Sequence, residues 1–139
     1  MIISRRSLLL LILLFAGPLA AQVDITAPSD TVRGVPNDGD WPAAEHPALA
    51  IDNSVETKYL HFRGAERSTG FQVTPSAGAT VVTGLPFTTA HDAAERDPVA
   101  FELYGANTSL DGPYTLIASG AIPDFAQASA WPRYTMNTT

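Results

Sequence analysis

Asp52 and Thr57 are the two residues of this chain whose types and spacing suit the binding of a hard cation. They lie five residues apart in the segment 48–62, ALAIDNSVETKYLHF, where an apolar run precedes an Asp-Asn turn. Calcium binds carboxylate, hydroxyl and carbonyl oxygens, and a tight loop can turn its carbonyls inward beside these two side chains. The alternative is an Asx turn, in which the Asp52 carboxylate caps the following backbone without a metal.

A second set of side chains has the chemistry of a sugar site. Such sites place an aromatic face against the apolar side of the sugar ring and a few polar groups at its hydroxyls. The candidates in or beside the predicted loops are Trp41, His61, Arg63 and Arg96. The alternative interpretations are packing of Trp41 in an amphipathic loop, and a strand position half in solvent for His61.

The sequence lacks a catalytic constellation, and we predict that the chain is not an enzyme. Its histidines, His46, His61 and His91, do not have metal-ligand spacing, and there is no cysteine. No serine lies in a Gly-x-Ser-x-Gly context. The segment 92–97 contains three carboxylates, a residue type that can cleave glycosides in pairs. We interpret it as a solvated acidic loop, because nothing indicates the burial that raises the pKa of a catalytic acid.

Residues 1–21 have the pattern of a signal peptide. Arg5 and Arg6 precede an apolar run over residues 8–16, and small residues precede Gln22. The run is shorter than a bilayer span, which disfavours the alternative of an uncleaved anchor. A twin-arginine export signal is a further alternative to general secretion. We therefore expect a mature domain over residues 22–139 that is secreted, periplasmic or on the cell surface.

The charge of the predicted mature chain restricts its partners. Without the two arginines of the signal, six basic and fourteen acidic residues remain, a net charge of −8. Such a surface repels phosphate backbones and anionic lipid headgroups. We expect no nucleic-acid partner and no membrane insertion by this segment.

The pattern along the mature chain predicts an all-β fold. Helical periodicity is nearly absent, and short strand-like runs alternate with turn residues. Residues 99–104 alternate apolar and polar side chains, and a long loop joins them to residues 114–118, which predicts a hairpin. The other expected strands are residues 59–62, 70–73 and 80–89, the last with Pro86 forcing an edge or a bulge in its second half.

Two motifs in this chain are similar to those of the discoidin, or coagulation-factor type C, family. Residues 48–59 have the order Ala-x-x-x-Asp-x-x-x-x-Thr-x-aromatic, and residues 101–116 read FELYGAN followed by DGPYTL. The resemblance implies a galactose-binding-like jelly-roll β-sandwich of two antiparallel sheets. The family closes its sandwich with two further C-terminal strands, which have no counterpart after the segment 134–139. We therefore expect a partial domain in a longer protein.

The resemblance also implies a site and a function. It adds the carbonyls of Leu49 and Ser54 to Asp52 and Thr57 as ligands of a structural calcium ion, and Glu45 as a sugar ligand. Galactose binders of the family have Trp, His and Trp where this chain has Tyr59, Leu60 and Arg63. The expected function is therefore non-catalytic binding of a cell-surface or environmental polysaccharide or glycoconjugate. The alternative is a structural or adhesion module that binds a cell-surface protein.

Overall fold

The described part of the chain consists of short strands joined by long loops. The computed structural model describes residues 23–90, 92–122 and the backbone of 135–138, so the predicted signal peptide lies outside the described residues. No α-helix is present in these ranges. The elements are strands β1 (Thr31–Val35), β2 (Gly70–Thr74), β3 (Leu85–Thr88), β4 (Ala100–Gly105), β5 (Thr115–Ala121) and β6 (Thr135–Thr138), with 3₁₀ helices at Pro47–Ala50 and Ala94–Arg96.

The strands form three antiparallel pairs. β1 pairs with β2, β3 with β6, and β4 with β5. In the first pair Gly34 lies opposite Phe71, and Val35 lies opposite Gly70. The expectation of an all-β protein is confirmed, whereas the jelly-roll arrangement of two sheets stays a prediction.

The hairpin of β4 and β5 follows the prediction closely. Phe101 and Leu103 are half-buried while Glu102 and Tyr104 are exposed, as the alternation of residue types requires. Leu103 pairs with Ala118 and Tyr104 pairs with Leu116, so one residue of β5 is bulged between them. The loop of residues 106–114 connects the strands and projects towards β1.

Two of the predicted strands were wrong in whole or in part. Residues 59–62 are not a strand, because Leu60 donates its N–H to Glu45 and Phe62 donates to Asp40, which interrupts a regular ladder. A turn in the facing segment, closed by the Glu45 N–H on Pro42, causes this mismatch. Of residues 80–89, only the second half forms a strand, and it includes Pro86 opposite Asn137 of β6.

Of the β1–β2 pair, the sequence predicted only β2, and a side chain holds the end of the pair where β1 begins. Asp30 is buried before β1 and accepts the N–H of Ala27 at 2.9 Å and of Ser76 at 3.0 Å. Its carboxylate thereby fastens the start of β1 to the turn that follows β2.

Apolar burial in the described residues is concentrated at a few positions. Ile51 and Ile122 are the buried hydrophobic residues there, and Phe87 packs against Phe101 with 5.5 Å between ring centroids. Several large apolar side chains are more than a third exposed, namely Val35, Phe71, Val99, Leu116 and Ile117. In the described ranges, no helix has the length and apolar character needed to cross a bilayer.

Candidate functional site

The loop after the 3₁₀ helix Pro47–Ala50 brings three of the predicted calcium ligands together. The Asp52 carboxylate accepts the N–H of Ser54 at 2.9 Å through Oδ1 and the hydroxyl of Thr57 at 2.6 Å through Oδ2. The same hydroxyl lies 3.3 Å from the Ser54 carbonyl oxygen. Buried Ile51 anchors the loop next to these residues. Leu49, the fourth predicted ligand, lies within the 3₁₀ helix.

The bond pattern of this loop is that of an Asx turn, and its donor atoms are also those that calcium uses. A carboxylate, a hydroxyl and a carbonyl converge, and all three are hard oxygen donors. Within the described residues, no three His, Asp or Glu side chains are grouped to hold a metal. The oxygens that converge in this loop are those of the Asp52 carboxylate and of the neutral Thr57 hydroxyl and Ser54 carbonyl.

Aromatic rings connect the loops with the β1–β2 pair. Trp41 lies edge-on to Tyr59 at 6.5 Å and to His61 at 6.2 Å between ring centroids, and Tyr59 lies edge-on to Phe71 at 6.5 Å. The Tyr59 hydroxyl donates to the Gly70 carbonyl at 3.2 Å. Burial raises the pKa of Tyr59, so its neutral, donating form is favoured. The segment that failed to form a strand thus packs its side chains under Trp41.

His61 is a supporting residue in this geometry. Its side chain is 1% exposed, and its Nδ1 accepts the N–H of Arg63 at 3.1 Å. The ring proton therefore belongs on Nε2, which lies 3.2 Å from Oδ1 of Asp38. Since both ring nitrogens have partners within the protein, His61 orients Trp41 and the loop of Asp38.

Asp38 is the acceptor at the centre of a polar cluster. Its carboxylate accepts from His61, from Arg67 and from the backbone N–H of Asp40. Partial burial by itself raises the pKa of this carboxyl, but the three donors outweigh it and hold the pKa below its usual value. The charged carboxylate is thus the form that the fold stabilises.

The remaining predicted sugar ligands are held in ion pairs. Lys58 lies 3.5 Å from Glu45 and also binds Asp92, which in turn lies 3.9 Å from Arg96. This charged series brings Glu45 and Arg96 to the same region. Arg63 is separate from it and pairs with Asp40 at 3.1 Å.

A groove of about 470 Å³ opens beside Trp41. Trp41 is the one predicted sugar ligand among the described residues that line it, and the other lining residues were not predicted as ligands. Its lining residues come from β1, from the loop of residues 37–46, from the 3₁₀ helix Pro47–Ala50 and from the β4–β5 loop, namely Thr31, Val32, Arg33, Gly34, Asn37, Trp41, His46, Pro47, Ala48 and Leu110. The polar turn Asn-Asp-Gly-Asp directly before Trp41 is the sequence signal that could have located this groove.

Gly34 allows Trp41 to form one wall of the groove. A Cβ at position 34 would lie 2.7 Å from Cζ3 of Trp41 and 3.1 Å from Cγ of Pro47. The approach to the indole is closer than carbon atoms tolerate and the approach to Pro47 is tight, so glycine at position 34 lets the indole rest on β1. The position of this wall therefore depends on the absence of a side chain at Gly34.

Arg33 connects the groove with the β4–β5 loop. Its Nε donates to Gln72 at 2.7 Å, one terminal nitrogen donates to Asp111 at 3.0 Å, and the other donates to the Leu110 carbonyl. The ring of contacts closes through Tyr114, whose hydroxyl accepts from Gln72 at 2.8 Å and donates to Leu110 at 2.7 Å. These bonds hold Leu110 in place as the opposite wall.

Comparison of the chain with protein-family models, with curated proteins and with solved structures found no match. The discoidin resemblance therefore rests on the two sequence motifs.

Proposed function

We propose that this protein is an exported, non-catalytic domain of the discoidin-like jelly-roll type that binds carbohydrate in the groove beside Trp41. The observation that supports this is the combination of an aromatic wall with polar groups in one open groove of about 470 Å³. Small-molecule sites have volumes of about 300–1,000 Å³, with a few polar groups fixing the ligand's orientation. One or two sugar units match that size.

Each wall of the groove has a task in this proposal. The apolar face of a pyranose ring packs against the Trp41 indole, and the Asn37 amide and the His46 imidazole exchange hydrogen bonds with its hydroxyls. His61 contributes indirectly, because its ring packs edge-on against the indole with 6.2 Å between ring centroids. Glu45, Arg63 and Arg96 lie in ion pairs and shape the surrounding surface.

A calcium ion would stabilise the site from its flank. Asp52 and Thr57, with the carbonyls of Ser54 and Leu49, would hold the ion, which would supply a fixed positive charge that locks the loop. This loop directly follows the 3₁₀ helix Pro47–Ala50, and two residues of that helix line the groove. Ordering the loop would therefore fix the groove's rim.

A second candidate function is adhesion to a cell-surface protein. The hairpin of β4 and β5 favours it, because Leu116 and Ile117 are 50% and 53% exposed and Tyr104 and Tyr114 are exposed beside them. Exposed apolar residues that are grouped in this way mark interaction surfaces in other proteins. Leu116 and Ile117 are not among the residues that line the groove, so variants at these two positions can distinguish the two functions.

Retention on polysaccharides tests the proposal. Wild-type protein and Trp41→Ala, Asn37→Ala and Phe62→Ala variants are applied to a panel of immobilised neutral and acidic polysaccharides. Phe62 is the matched control, an exposed aromatic residue outside the groove lining. We expect retention of the wild type and of Phe62→Ala, and loss of retention by about tenfold in the other two. Equal retention of all four proteins, or retention of none, contradicts the proposal.

The Asn37→Ala variant also controls for folding. Asn37 is an exposed loop residue, so its truncation leaves the fold intact, whereas removal of Trp41 can unsettle the aromatic packing. Circular dichroism identifies any variant that has unfolded.

A further inference from the structure

The groove has one permanently charged side chain among its lining residues. Of the ten described residues that line it, Arg33 is the sole lysine, arginine, aspartate or glutamate. An exposed arginine in a sugar site usually indicates an anionic ligand, since guanidinium groups bind carboxylates and sulfates in a bidentate manner. Whether the Arg33 charge is paired within the protein or free to bind a ligand therefore decides whether the groove accepts neutral or anionic saccharides.

Contacts within the protein already use the charge and donors of Arg33. The Asp111 carboxylate lies 3.0 Å from one terminal nitrogen, and Leu110 and Gln72 accept from the other two nitrogens. The arginine side chain is 34% exposed and that of Asp111 is 82% exposed, so the counter-charge lies on the solvent side of the pair. An approaching anion meets the carboxylate together with the guanidinium.

The rest of the molecule adds to this effect. The whole chain has a net charge of −6. A field of that sign lowers the local concentration of polyanions at any open groove. Local pairing and the long-range field thus act in the same direction.

We propose that the groove selects neutral saccharides, and that Asp111 determines this specificity by neutralising Arg33. The inference rests on the proposed function, because it specifies the ligand class of the same groove. Asp111 acts through Arg33, and its role is to keep that cation from pairing with a ligand carboxylate or sulfate. Replacing the carboxylate by an amide preserves an oxygen acceptor for Arg33 and removes only the charge.

Matched polysaccharide pairs test the inference. Each pair shares one backbone and differs in charge: dextran and dextran sulfate, methyl-esterified and de-esterified homogalacturonan, and hydroxyethyl- and carboxymethylcellulose. Binding is measured at pH 8, where an ordinary imidazole is uncharged. We expect the wild type to bind the neutral member of at least one pair at least about threefold more tightly than the charged member, by like-charge repulsion. Tighter binding of the charged members overturns the inference and leaves the proposed function intact.

Asp111→Asn should change the preference, and Glu95→Gln is its control. Glu95 is an exposed carboxylate outside the groove lining, so its removal changes the net charge by the same amount. Because an exposed ion pair contributes only modestly, Asp111→Asn should improve binding of the charged members by about 1.4- to fivefold. Glu95→Gln should leave the ratio unchanged. An equal effect of both variants overturns the role of Asp111, and failure of the wild type to bind any member of any pair contradicts the proposed function itself.

Discussion

The indole of Trp41 lies directly on the backbone of Gly34, so closely that a Cβ at position 34 would stand 2.7 Å from Cζ3 and 2.9 Å from Cη2. This contact joins β1 to the loop that precedes the calcium-loop candidate. It also sets the depth of the groove, because the same glycine faces buried Pro47. The site therefore depends on a residue that has no side chain.

Gly34→Ala should destabilise the protein by displacing Trp41. Overpacking of this kind costs about 1–3 kcal/mol, because the neighbouring side chains must leave their preferred rotamers. Urea denaturation measures the loss. Gly70→Ala is the matched control, since Gly70 lies in the paired strand and a Cβ there meets nothing within 4 Å. Its stability should stay within about 0.5 kcal/mol of the wild type, and an equal loss in both variants would rule out the packing argument.

Calcium should stabilise the wild-type protein and leave Asp52→Asn unaffected. With a dissociation constant of about 10⁻⁴–10⁻³ M, as in extracellular calcium modules, 10 mM calcium adds about 1.4–2.7 kcal/mol by mass action. Thermal melts with calcium and with chelator measure the difference. The asparagine still accepts the Ser54 N–H, so the Asx turn persists in the variant. A wild type that melts identically with and without calcium supports the Asx turn alone.

Acid should remove the contribution of Asp38 to stability. The folded-state pKa of Asp38 lies below its ordinary value of 3.8, so the folded protein favours the charged carboxylate more strongly than the unfolded chain does. This stabilisation is complete above the unfolded-state pKa and is lost as the pH falls through the lower folded-state pKa. The stability difference between wild type and Asp38→Asn should therefore be constant between pH 7 and pH 5 and narrow below about pH 4.

Denaturation midpoints over that pH range measure the effect of Asp38. Glu66→Gln, which removes a carboxylate that is 69% exposed, serves as the charge control and should follow the wild type. A difference between wild type and Asp38→Asn that is the same at every pH would contradict the assignment.

Tyr114→Phe should loosen the β4–β5 loop at the groove. The hydroxyl joins Gln72 to the Leu110 carbonyl, so its removal breaks two hydrogen bonds. Each bond contributes about 0.5–1.5 kcal/mol to the free energy of unfolding. Hydrogen exchange of the amides of residues 110–112 should accelerate several-fold. Tyr104→Phe is the control on the same hairpin, because its hydroxyl donates to a near neighbour in sequence, Glu102, at 2.9 Å. Unchanged exchange in Tyr114→Phe would show that the loop is held by other contacts.

The elements that the sequence predicts well are those in which local pattern and tertiary environment agree. The alternation over residues 99–104 and the Asp-Gly turn sufficed for the hairpin of β4 and β5. β1 was missed because Thr-Val-Arg-Gly-Val contains a glycine at its fourth position, and glycine normally weakens a strand. That glycine is explained only by the Trp41 ring packed on it. Residues 59–62 are of strand-forming types, but the turn at Pro42 in the facing segment prevents a regular pairing. Sequence periodicity carries no information about that turn.

In the candidate site, too, the sequence predicts the local contacts and misses the long-range ones. The short-range contacts of Asp52 with Ser54 and Thr57 follow from residue spacing, and the structure brings these three together. The groove depends on contacts over long sequence separations, such as that of Arg33 with Asp111. Such pairings are decided by how strands and loops pack, and neither residue type nor spacing specifies them.

The most direct test of the central proposal is a nitrogen–proton NMR titration of the wild-type protein with a neutral oligosaccharide. The oligosaccharide is taken from a polysaccharide that retains the protein. The account predicts that shift changes concentrate at the Trp41 indole N–H and at the amides of Gly34, Asn37 and His46, which line the groove. Shift changes confined to the β4–β5 hairpin around Leu116 and Ile117, or absent at saturating sugar, would contradict it.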